Sequence, residues 1–277
     1  MTEPEASIVI AAYNAADTIA RAVRSALAQA GVRVEVIVVD DGSADATRAA
    51  VEALGEPAVR LVALDRNKGP GGARNTGFAA ARGRWIAVLD ADDTMRPDRL
   101  RRMIDAAERQ DAVAAVDNLD VLHGEGRSEA MFPPGLLAAM PRLTLPAFID
   151  SNRVFRGTHN FGYMKPVFRR AFLAENGLAY DEDLRIGEDY LLLAAVLAAG
   201  GGCAVVPEAG YLYHVRETSI SRVLHLHHVE AMLAGDRRFL ARFPLEGEAA
   251  RAQRRRTRNL REAHAFLSLV RHIKNRS

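Results

Sequence analysis

The sequence predicts an α/β fold: a mostly parallel sheet covered by helices, followed by a helical C-terminal extension. Short β-branched apolar runs alternate with segments of helical period through the first 120 residues, which is the pattern of strands joined by crossover helices. From about His225 the period is helical to the end, with an interruption near Pro244. Hydrophobic residues make up 49% of the chain, enough for a sizeable core.

The strands of the first half are predicted from apolar runs rich in Val and Ile, which suit strands buried on both faces. They are SIVIAA (7–12), VEVIVV (34–39), VRLVAL (59–64) and RWIAVL (84–89). Helices are predicted between them. Asp17 is expected to cap the first helix and Ser43 the second. A Gly-rich turn leads to a third helix that ends near Ala81, and Pro97 suits the first turn of a fourth.

The middle of the chain, about 121–220, is more irregular. Its segment PRLTLPAFIDSNRVFRGTHNFGYMKPVF (141–168) has scattered Pro, Gly and aromatic residues without a clear period, so it is expected to lie over the sheet. A helix is predicted from Glu188 to Ala199, and the short strands CAVVPE and YLYHV follow it. We therefore divide the chain into 1–120 and 121–222, two halves of one domain, and an extension over 223–277.

Composition limits the classes of function. There is no uninterrupted apolar run long enough to span a bilayer. The N-terminus MTEPEAS does not resemble a signal peptide, and the single cysteine, Cys203, excludes an internal disulfide framework. A cytoplasmic protein is expected. Residues 244–277 carry nine Arg and Lys against three Glu, a net +6 within a total of +2, so the first 243 residues carry −4. A slightly acidic body argues against nucleic acid as a partner.

Polar residues follow each of the four predicted strands. They are Tyr13-Asn14, Asp40-Asp41, Asp65-Arg66-Asn67 and Asp90 to Asp93. Because ligands of open α/β sheets bind beyond the carboxyl ends of the strands, four polar ends on one edge indicate a site. Ordinary solvated loops would explain one or two of them.

The run Asp90-Ala91-Asp92-Asp93 concentrates negative charge that a divalent cation would neutralise. Hard carboxylate oxygens suit Mg²⁺ or Mn²⁺, and such an ion takes only one or two protein carboxylates when substrate phosphates and water complete its shell. We therefore interpret the run as a metal and diphosphate site, although a D-x-D by itself also occurs in many solvated turns.

Two further segments add to this site. Asp40 and Asp41 end a strand where a carboxylate commonly binds a ribose hydroxyl or a base edge; the alternative is an Asx-type turn. RNKGPGGARNTG (66–77) lacks the G-x-G-x-x-G spacing. It is interpreted as a loop whose free backbone N–H groups at a helix N-terminus, together with Arg74, attract phosphate. A plain turn would explain some of its glycines.

Four segments together resemble the successive blocks of family 2 glycosyltransferases. They are SIVIAAYNAADTIARAVRSALAQ, VIVVDDGSADAT, NKGPGGARNTGFAAARGRWIAVLDADD and RIGEDYLLL, in order over about 1–220. The resemblance implies the GT-A fold, a Rossmann-like nucleotide-binding sheet with flanking helices that binds a nucleotide-diphosphate sugar and a divalent metal. GYMKPVFRRAFLAENGLAYDEDLRIGEDY is similar to bacterial enzymes of exopolysaccharide synthesis, including succinoglycan-type enzymes.

The resemblance also implies roles for individual residues. Ala12 and Tyr13 would border the base, Asp41 with Asp40 behind it would contact uracil or ribose, and Arg74 would lie near the base or the diphosphate. Asp92 would hold the metal, with Asp90 and Asp93 beside it.

The catalytic base is predicted in RIGEDYLLL. An inverting transfer is a single in-line displacement that needs one carboxylate to accept the proton of the acceptor hydroxyl. Glu188 and Asp189 open a helix, and the family pattern places the base at Asp189, with Glu188 as the second candidate. The alternative is an acidic first turn that the helix dipole favours.

YHVRETSIS supplies two more candidates for the diphosphate, His214 and Arg216, and His214 could also approach the metal. Relatives carry a Tyr-Arg-x-His-like stretch here, so the order of the two residues is exchanged in this chain. His225, His227 and His228 lack an i, i+4 pair and are interpreted as surface or helix histidines.

The basic extension has two readings. An amphipathic helix over 248–273 could lie on an anionic membrane, which would suit a lipid-linked acceptor. The favoured alternative is a helix that packs on the body with a solvated charged face.

The favoured function is an inverting, metal-dependent transfer of a hexosyl unit from a UDP-sugar to a glycan or polyprenyl-linked acceptor in exopolysaccharide synthesis. A sugar-1-phosphate nucleotidyltransferase would need a basic Gly-rich loop where AAYNAADT stands. A non-catalytic nucleotide-sugar-binding subunit would not need Asp92 and Asp189.

Overall fold

The computed structural model describes residues 3–123, 126–155, 159–215 and 224–274, and these residues form nine strands and ten α-helices. The strands are β1 (Ala6–Ala12), β2 (Val34–Asp40), β3 (Val59–Ala63), β4 (Trp85–Asp90), β5 (Thr94–Met95), β6 (Ala114–Leu122), β7 (Ser128–Ala130), β8 (Val167–Arg169) and β9 (Cys203–His214). The helices are α1 (Ile19–Leu27), α2 (Thr47–Glu52), α3 (Gly69–Ala80), α4 (Arg99–Arg109), α5 (Pro134–Ala138), α6 (Leu145–Ser151), α7 (Arg170–Glu175), α8 (Glu188–Ala198), α9 (Leu226–Arg242) and α10 (Gly247–Lys274).

All nine described strands belong to one sheet, in the order β3-β2-β1-β4-β8-β6-β9-β5, with β7 paired to β6. β1 to β4 pair in parallel, as strands joined by helices should. β8 runs antiparallel to both β4 and β6, while β9 is parallel to β6. The predicted α/β fold is confirmed, and residues from 1–120 and from 121–222 share this sheet.

The core lies on both faces of the parallel strands. Ile8, Val9 and Ile10 of β1 have no exposed surface, so neighbouring residues that point to opposite faces are both covered. Gly77 allows α3 to approach this strand closely: a Cβ at Gly77 would lie 2.3 Å from Cγ1 of Val9. This close approach sets the position of α3, and therefore of Arg74 one turn earlier.

Several local predictions were wrong. Helices α1 and α2 are preceded by Thr18 and Ala46, neither of which makes a side-chain capping bond, so Asp17 and Ser43 are not the caps. The Ser43 hydroxyl instead accepts the backbone N–H of Asn14 at 2.9 Å, which links the loops after β1 and β2. The segments CAVVPE and YLYHV form the single strand β9, which stays paired to β6 through register shifts near Asn118.

The C-terminal extension consists of α9 and α10, broken where the sequence predicted. The first half of α10 packs on the body. Its buried Arg256 pairs with Asp236 at 3.0 Å, donates to the carbonyl of Asn152, and lies 3.7 Å from the ring of Tyr190 in α8. Among the described residues, no helix combines the length and hydropathy that crossing a bilayer requires.

Candidate active site

The carboxyl ends of β1, β2 and β4 meet at one edge of the sheet. Ala12 lies opposite Asp40 of β2, and Ala11 lies opposite Asp90 of β4. The predicted convergence of polar strand ends is therefore confirmed for these three strands, and it places Asp90 centrally at the edge where ligands of α/β sheets bind.

Arg74, in the second turn of α3, joins the end of β4 to the start of α8. Its side chain is only 6% exposed and contacts three carboxylates. One terminal nitrogen lies 2.7 Å from Asp90, and the other lies 2.8 Å from Glu188 and 3.1 Å from Asp189. The sequence predicted Arg74 as a ligand of phosphate or base. In the structure, Arg74 is the cation that holds these three carboxylates together.

Lys165, between α6 and β8, is a second buried cation at the same place. Its ammonium lies 2.9 Å from Oδ2 of Asp90 and 2.7 Å from Oδ2 of Asp189. Each of these two carboxylates is therefore held by both Lys165 and Arg74. The phenol of Tyr180 adds a hydrogen bond to Asp189, and its ring packs 5.3 Å from the guanidinium of Arg74.

Two cations and three carboxylates leave this cluster with one excess negative charge. Burial alone would raise the pKa of Asp90, but Lys165 and Arg74 outweigh burial and hold that pKa well below its usual range. Burial and the charge of Asp189 raise the pKa of Glu188. The two neighbouring acids of α8 thus differ: Glu188 is pushed towards its protonated form, whereas Asp189 carries the ion pair to Lys165.

The turn into α8 fixes the direction of the acidic pair. Gly187 precedes the helix with a φ of +90°, a conformation that residues with a Cβ rarely adopt. Glu188 and Asp189 then form the first turn, where the free N–H groups of the helix stabilise negative charge. The predicted start of this helix is confirmed.

The three acids at the end of β4 and just beyond it have different surroundings. Asp90 belongs to the cluster with Arg74 and Lys165, and Asp92 is half-buried at the edge of the sheet with its carbonyl bound by Arg21 at 2.8 Å. Asp93 is 1% exposed and accepts hydrogen bonds from the hydroxyl of Tyr211 and the backbone N–H of His214, both at 2.8 Å. Burial and the charge of Asp90 raise the pKa of Asp93 to about 8. Asp93 thus connects the loop after β4 to β9.

His214 ends β9 close to this loop. Its Nε2 lies 3.0 Å from the hydroxyl of Thr94, two residues beyond Asp92 in the chain. The structure therefore places His214 beside the acidic run, while its contact with a metal or diphosphate stays a prediction. Arg216 lies outside the described residues.

The residues assigned to the nucleotide have mixed surroundings. Tyr13 is 52% exposed, whereas the neighbouring Ala12 is buried. Asp40 has no exposed surface and pairs with Arg48 at 2.5 Å. The carboxylate of Asp41 accepts the backbone N–H groups of Lys68 and Gly69, at 2.6 and 2.8 Å.

This last contact corrects one prediction. The N–H groups of Lys68 and Gly69 at the start of α3 were expected to be free for phosphate, but Asp41 already binds them. The physical reason is that the loop after β2 lies directly against this helix start, where a carboxylate satisfies the unpaired donors.

The donor set fits a divalent cation only if substrate completes it. In the described parts of the chain, no three His, Cys, Asp or Glu side chains converge on a ready-made metal cage. Mg²⁺ and Mn²⁺ do not require one, because phosphates and water supply the remaining ligands. Within the acidic run, Asp93 is buried, whereas Asp90 and Asp92 are half-buried at the edge of the sheet, where such an ion could meet them.

Sequence reasoning missed Lys165, Tyr180 and Tyr211. Lys165 stands between Met164 and Pro166 in an irregular segment, where the only signal was a charged residue among apolar ones. Its partners Asp90 and Asp189 are distant in the chain, and no periodicity could bring the three together.

The sequence model of the family Glycosyl transferase family 2 matches residues 7–172. The chain belongs to glycosyltransferase family 2. This glycosyltransferase is 64% identical to Succinoglycan biosynthesis protein ExoO of Rhizobium meliloti over 99% of its own length and 79% of the relative's. The nucleotidyltransferase and the non-catalytic subunit are thereby set aside.

Solved structures of similar fold agree. Staphylococcus aureus TarS in complex with UDP-GlcNAc superposes with a TM-score of 0.68 over 90% of this chain and 69% of that one, at 22% identity. The mannosyltransferase PcManGT of Pyrobaculum calidifontis, in complex with GDP-Man and Mn²⁺, superposes with a TM-score of 0.62 over 97% of this chain and 76% of that one, at 18% identity. The family 2 glycosyltransferase described here therefore has the expected GT-A fold.

Proposed function

We propose that this glycosyltransferase is an inverting, metal-dependent enzyme that transfers a hexosyl unit from a nucleotide-diphosphate sugar, a UDP-sugar, to a glycan or polyprenyl-linked oligosaccharide in exopolysaccharide synthesis. The observation that carries the proposal is the ion-paired Asp189 at the start of α8, joined through Lys165 to Asp90 at the end of β4. The carboxylate proposed to deprotonate the acceptor and the strand end proposed to bind the donor thus lie within one cluster of charged side chains.

Asp189 is the proposed general base. In an inverting displacement the acceptor oxygen bonds to the anomeric carbon as the bond from that carbon to the diphosphate oxygen breaks, and the acceptor proton passes to a carboxylate. Lys165 and Arg74 hold Asp189 in one orientation, which favours transfer along a fixed line. The raised pKa of Glu188 makes this residue the weaker candidate.

Asp92 is the proposed metal ligand, with Asp90 at the end of β4 and His214 at the end of β9 as the neighbouring candidates. A divalent cation bound there together with the donor phosphates would neutralise charge that develops on the leaving diphosphate. Arg74 and Lys165 add positive charge next to the same strand end. Tyr13, exposed beyond β1, and Asp41 are proposed to contact the base and ribose.

The donor and the pathway are proposed from the relatives. TarS was solved with UDP-GlcNAc and PcManGT with GDP-Man and Mn²⁺, while ExoO is named for succinoglycan biosynthesis. These names support a nucleotide-sugar donor and a polysaccharide product. A polyprenyl-linked acceptor would place the enzyme in the cytoplasm in peripheral contact with the inner face of the plasma membrane.

A donor-turnover assay tests the proposal. Release of UDP and GDP would be measured from their sugars, with Mn²⁺ and with EDTA, for the parent protein, Asp92→Asn and Asp189→Asn. We expect metal-dependent UDP release that both variants lose while they keep the parent's melting temperature. Unchanged turnover in EDTA would refute the metal, GDP release alone would refute the donor, and an active Asp189→Asn protein would refute the base.

A further inference from the structure

The outward side of α10 carries a row of side chains at intervals of three or four residues, which places them on one face of the helix. We call this row the outer stripe; it consists of Arg255, Arg258, Glu262, Phe266, Leu269 and Ile273. The side of α10 that faces the body buries Arg256, Leu260 and Ala263 instead. The outer stripe is therefore the solvent-exposed face of α10.

The second half of the outer stripe is apolar. Phe266, Leu269 and Ile273 are 58%, 57% and 58% exposed. Single exposed apolar residues are ordinary, but three neighbours on one helix face form a patch of the kind that binds a partner or a membrane. Exposure of these three apolar side chains to water is unfavourable. Burial of the patch would remove this free-energy cost.

The first half of the outer stripe is basic. Arg255 and Arg258, together with Arg153, Asn259 and Glu262, line a surface cavity of about 280 Å³. Arg258 is 84% exposed. Although Asp150 and Glu262 pair with two of these arginines, the whole of α10 carries eight Arg and Lys against two Glu, a net +6.

We propose that the outer stripe docks the enzyme on an anionic lipid bilayer. Phe266, Leu269 and Ile273 enter the headgroup region, and the exposed arginines of α10, such as Arg258 and Arg261, bind lipid phosphates. A second copy of the chain suits this face less well, since two α10 helices would oppose like charges. The proposed lipid-linked acceptor gives this docking its biological reason. The docking itself can be tested independently, because lipid binding can be measured without any glycosyl transfer.

Vesicle co-sedimentation tests the docking surface. Purified protein would be mixed with vesicles of phosphatidylcholine alone, or with one third phosphatidylglycerol, in low and high salt. We expect binding to the anionic vesicles alone and its loss in high salt. Removal of one exposed charge, as in Arg258→Gln or Arg261→Gln, should weaken binding about fivefold. The triple variant F266S/L269S/I273S should weaken it at least about tenfold.

Matched variants act as controls. Leu136→Ser removes an exposed apolar side chain from α5, and Arg24→Gln an exposed charge from α1; both should bind vesicles like the parent. UDP release in solution should be unchanged in all variants, so failure to dock is distinguishable from loss of the enzyme. Equal binding by the parent and the triple variant, or absence of binding to anionic vesicles, would overturn the proposal. So would a parent dimer that the triple variant converts to a monomer in light scattering, because the stripe would then join two copies.

Discussion

Nζ of Lys165 and Oδ2 of Asp189 lie 2.7 Å apart, and the same ammonium reaches Oδ2 of Asp90 at 2.9 Å. One buried cation thus connects the last residue of β4 with the first turn of α8. Because Arg74 bridges the same two acids, the proposed donor edge and the proposed base form one electrostatic unit. Loss of either cation should therefore affect both parts of the site.

Lys165→Met should lower kcat by roughly 100-fold and the free energy of unfolding by roughly 3 kcal/mol, since it leaves two buried carboxylates with one cation. Lys165→Arg should recover part of kcat, while the donor KM changes less than kcat in both variants. Steady-state kinetics and urea denaturation provide the measurements. Lys274→Met, at the exposed end of α10, is the control; a Lys165→Met protein with the parent's kcat would show that the ion pair has no catalytic role.

Asp189→Asn should lower kcat about 10²- to 10⁴-fold, because the amide cannot accept the acceptor proton. Glu188→Gln should have a smaller effect, since Glu188 makes a single ion pair to Arg74 and burial raises its pKa, which makes its carboxylate the less available of the two. Binding of UDP, measured by calorimetry, should be similar in both variants. A larger loss of kcat in Glu188→Gln would exchange the two assignments.

Gly77→Ala should destabilise the protein by about 1–3 kcal/mol, because the new methyl group would lie 2.3 Å from a methyl of Val9 and force α3 away from β1. The movement should also displace Arg74 and reduce turnover. Gly135→Ala in α5 is the matched control, since a Cβ there meets nothing within 4 Å. Urea denaturation of the two variants compares them directly, and equal stabilities would contradict the close packing.

Asp93 should make the stability of the metal-free protein fall as pH rises. Its pKa is about 8 in the folded protein and near 3.8 in the unfolded chain. The folded state therefore binds more protons between these values, and the free energy of unfolding decreases from pH 4 to pH 8. Asp93→Asn should remove this part of the pH dependence. Thermal unfolding across the range in EDTA tests it, and parallel profiles for parent and variant would refute the assignment.

Cys203 should be unreactive in the native protein at pH 8. Burial raises the pKa of its thiol to about 12, and the residue is 1% exposed, so almost no thiolate is available to attack a disulfide reagent. Ellman's reagent should release no thiolate from the native protein and one equivalent in denaturant, because the chain has one cysteine. Rapid native labelling would show that β9 opens at its first residue.

The fold was largely predictable because its signals are local. Val- and Ile-rich runs mark the parallel strands, and the helical period marks α8, α9 and α10. Helix starts were harder to predict. Asp17 and Ser43 have side chains that commonly cap helices, but the Ser43 hydroxyl accepts a hydrogen bond from the backbone N–H of Asn14 in a neighbouring loop. The continuity of β9 was also hidden, since pairing with β6 carries the strand through Pro207 and Gly210.

The site was predictable to the extent that its residues follow strands or begin helices. Asp90, Arg74, Glu188 and Asp189 were identified in this way, and the structure brings them together. The binding of Lys68 and Gly69 by Asp41, and the position of Lys165, depend on contacts between distant segments. Only packing of the whole chain determines such contacts, so no local pattern reveals them.

The contact of Arg256 with the ring of Tyr190, at 3.7 Å, fixes the residue beside Asp189 by means of the last described helix. A ribosome delivers α10 well after the parallel strands and α8, and proteins begin to fold from the N-terminal side during synthesis. A nascent chain can therefore form the sheet edge that carries Asp90 before α8, which carries the proposed base, is locked in place. The packing beside Asp189 is therefore completed only after α10 has emerged from the ribosome.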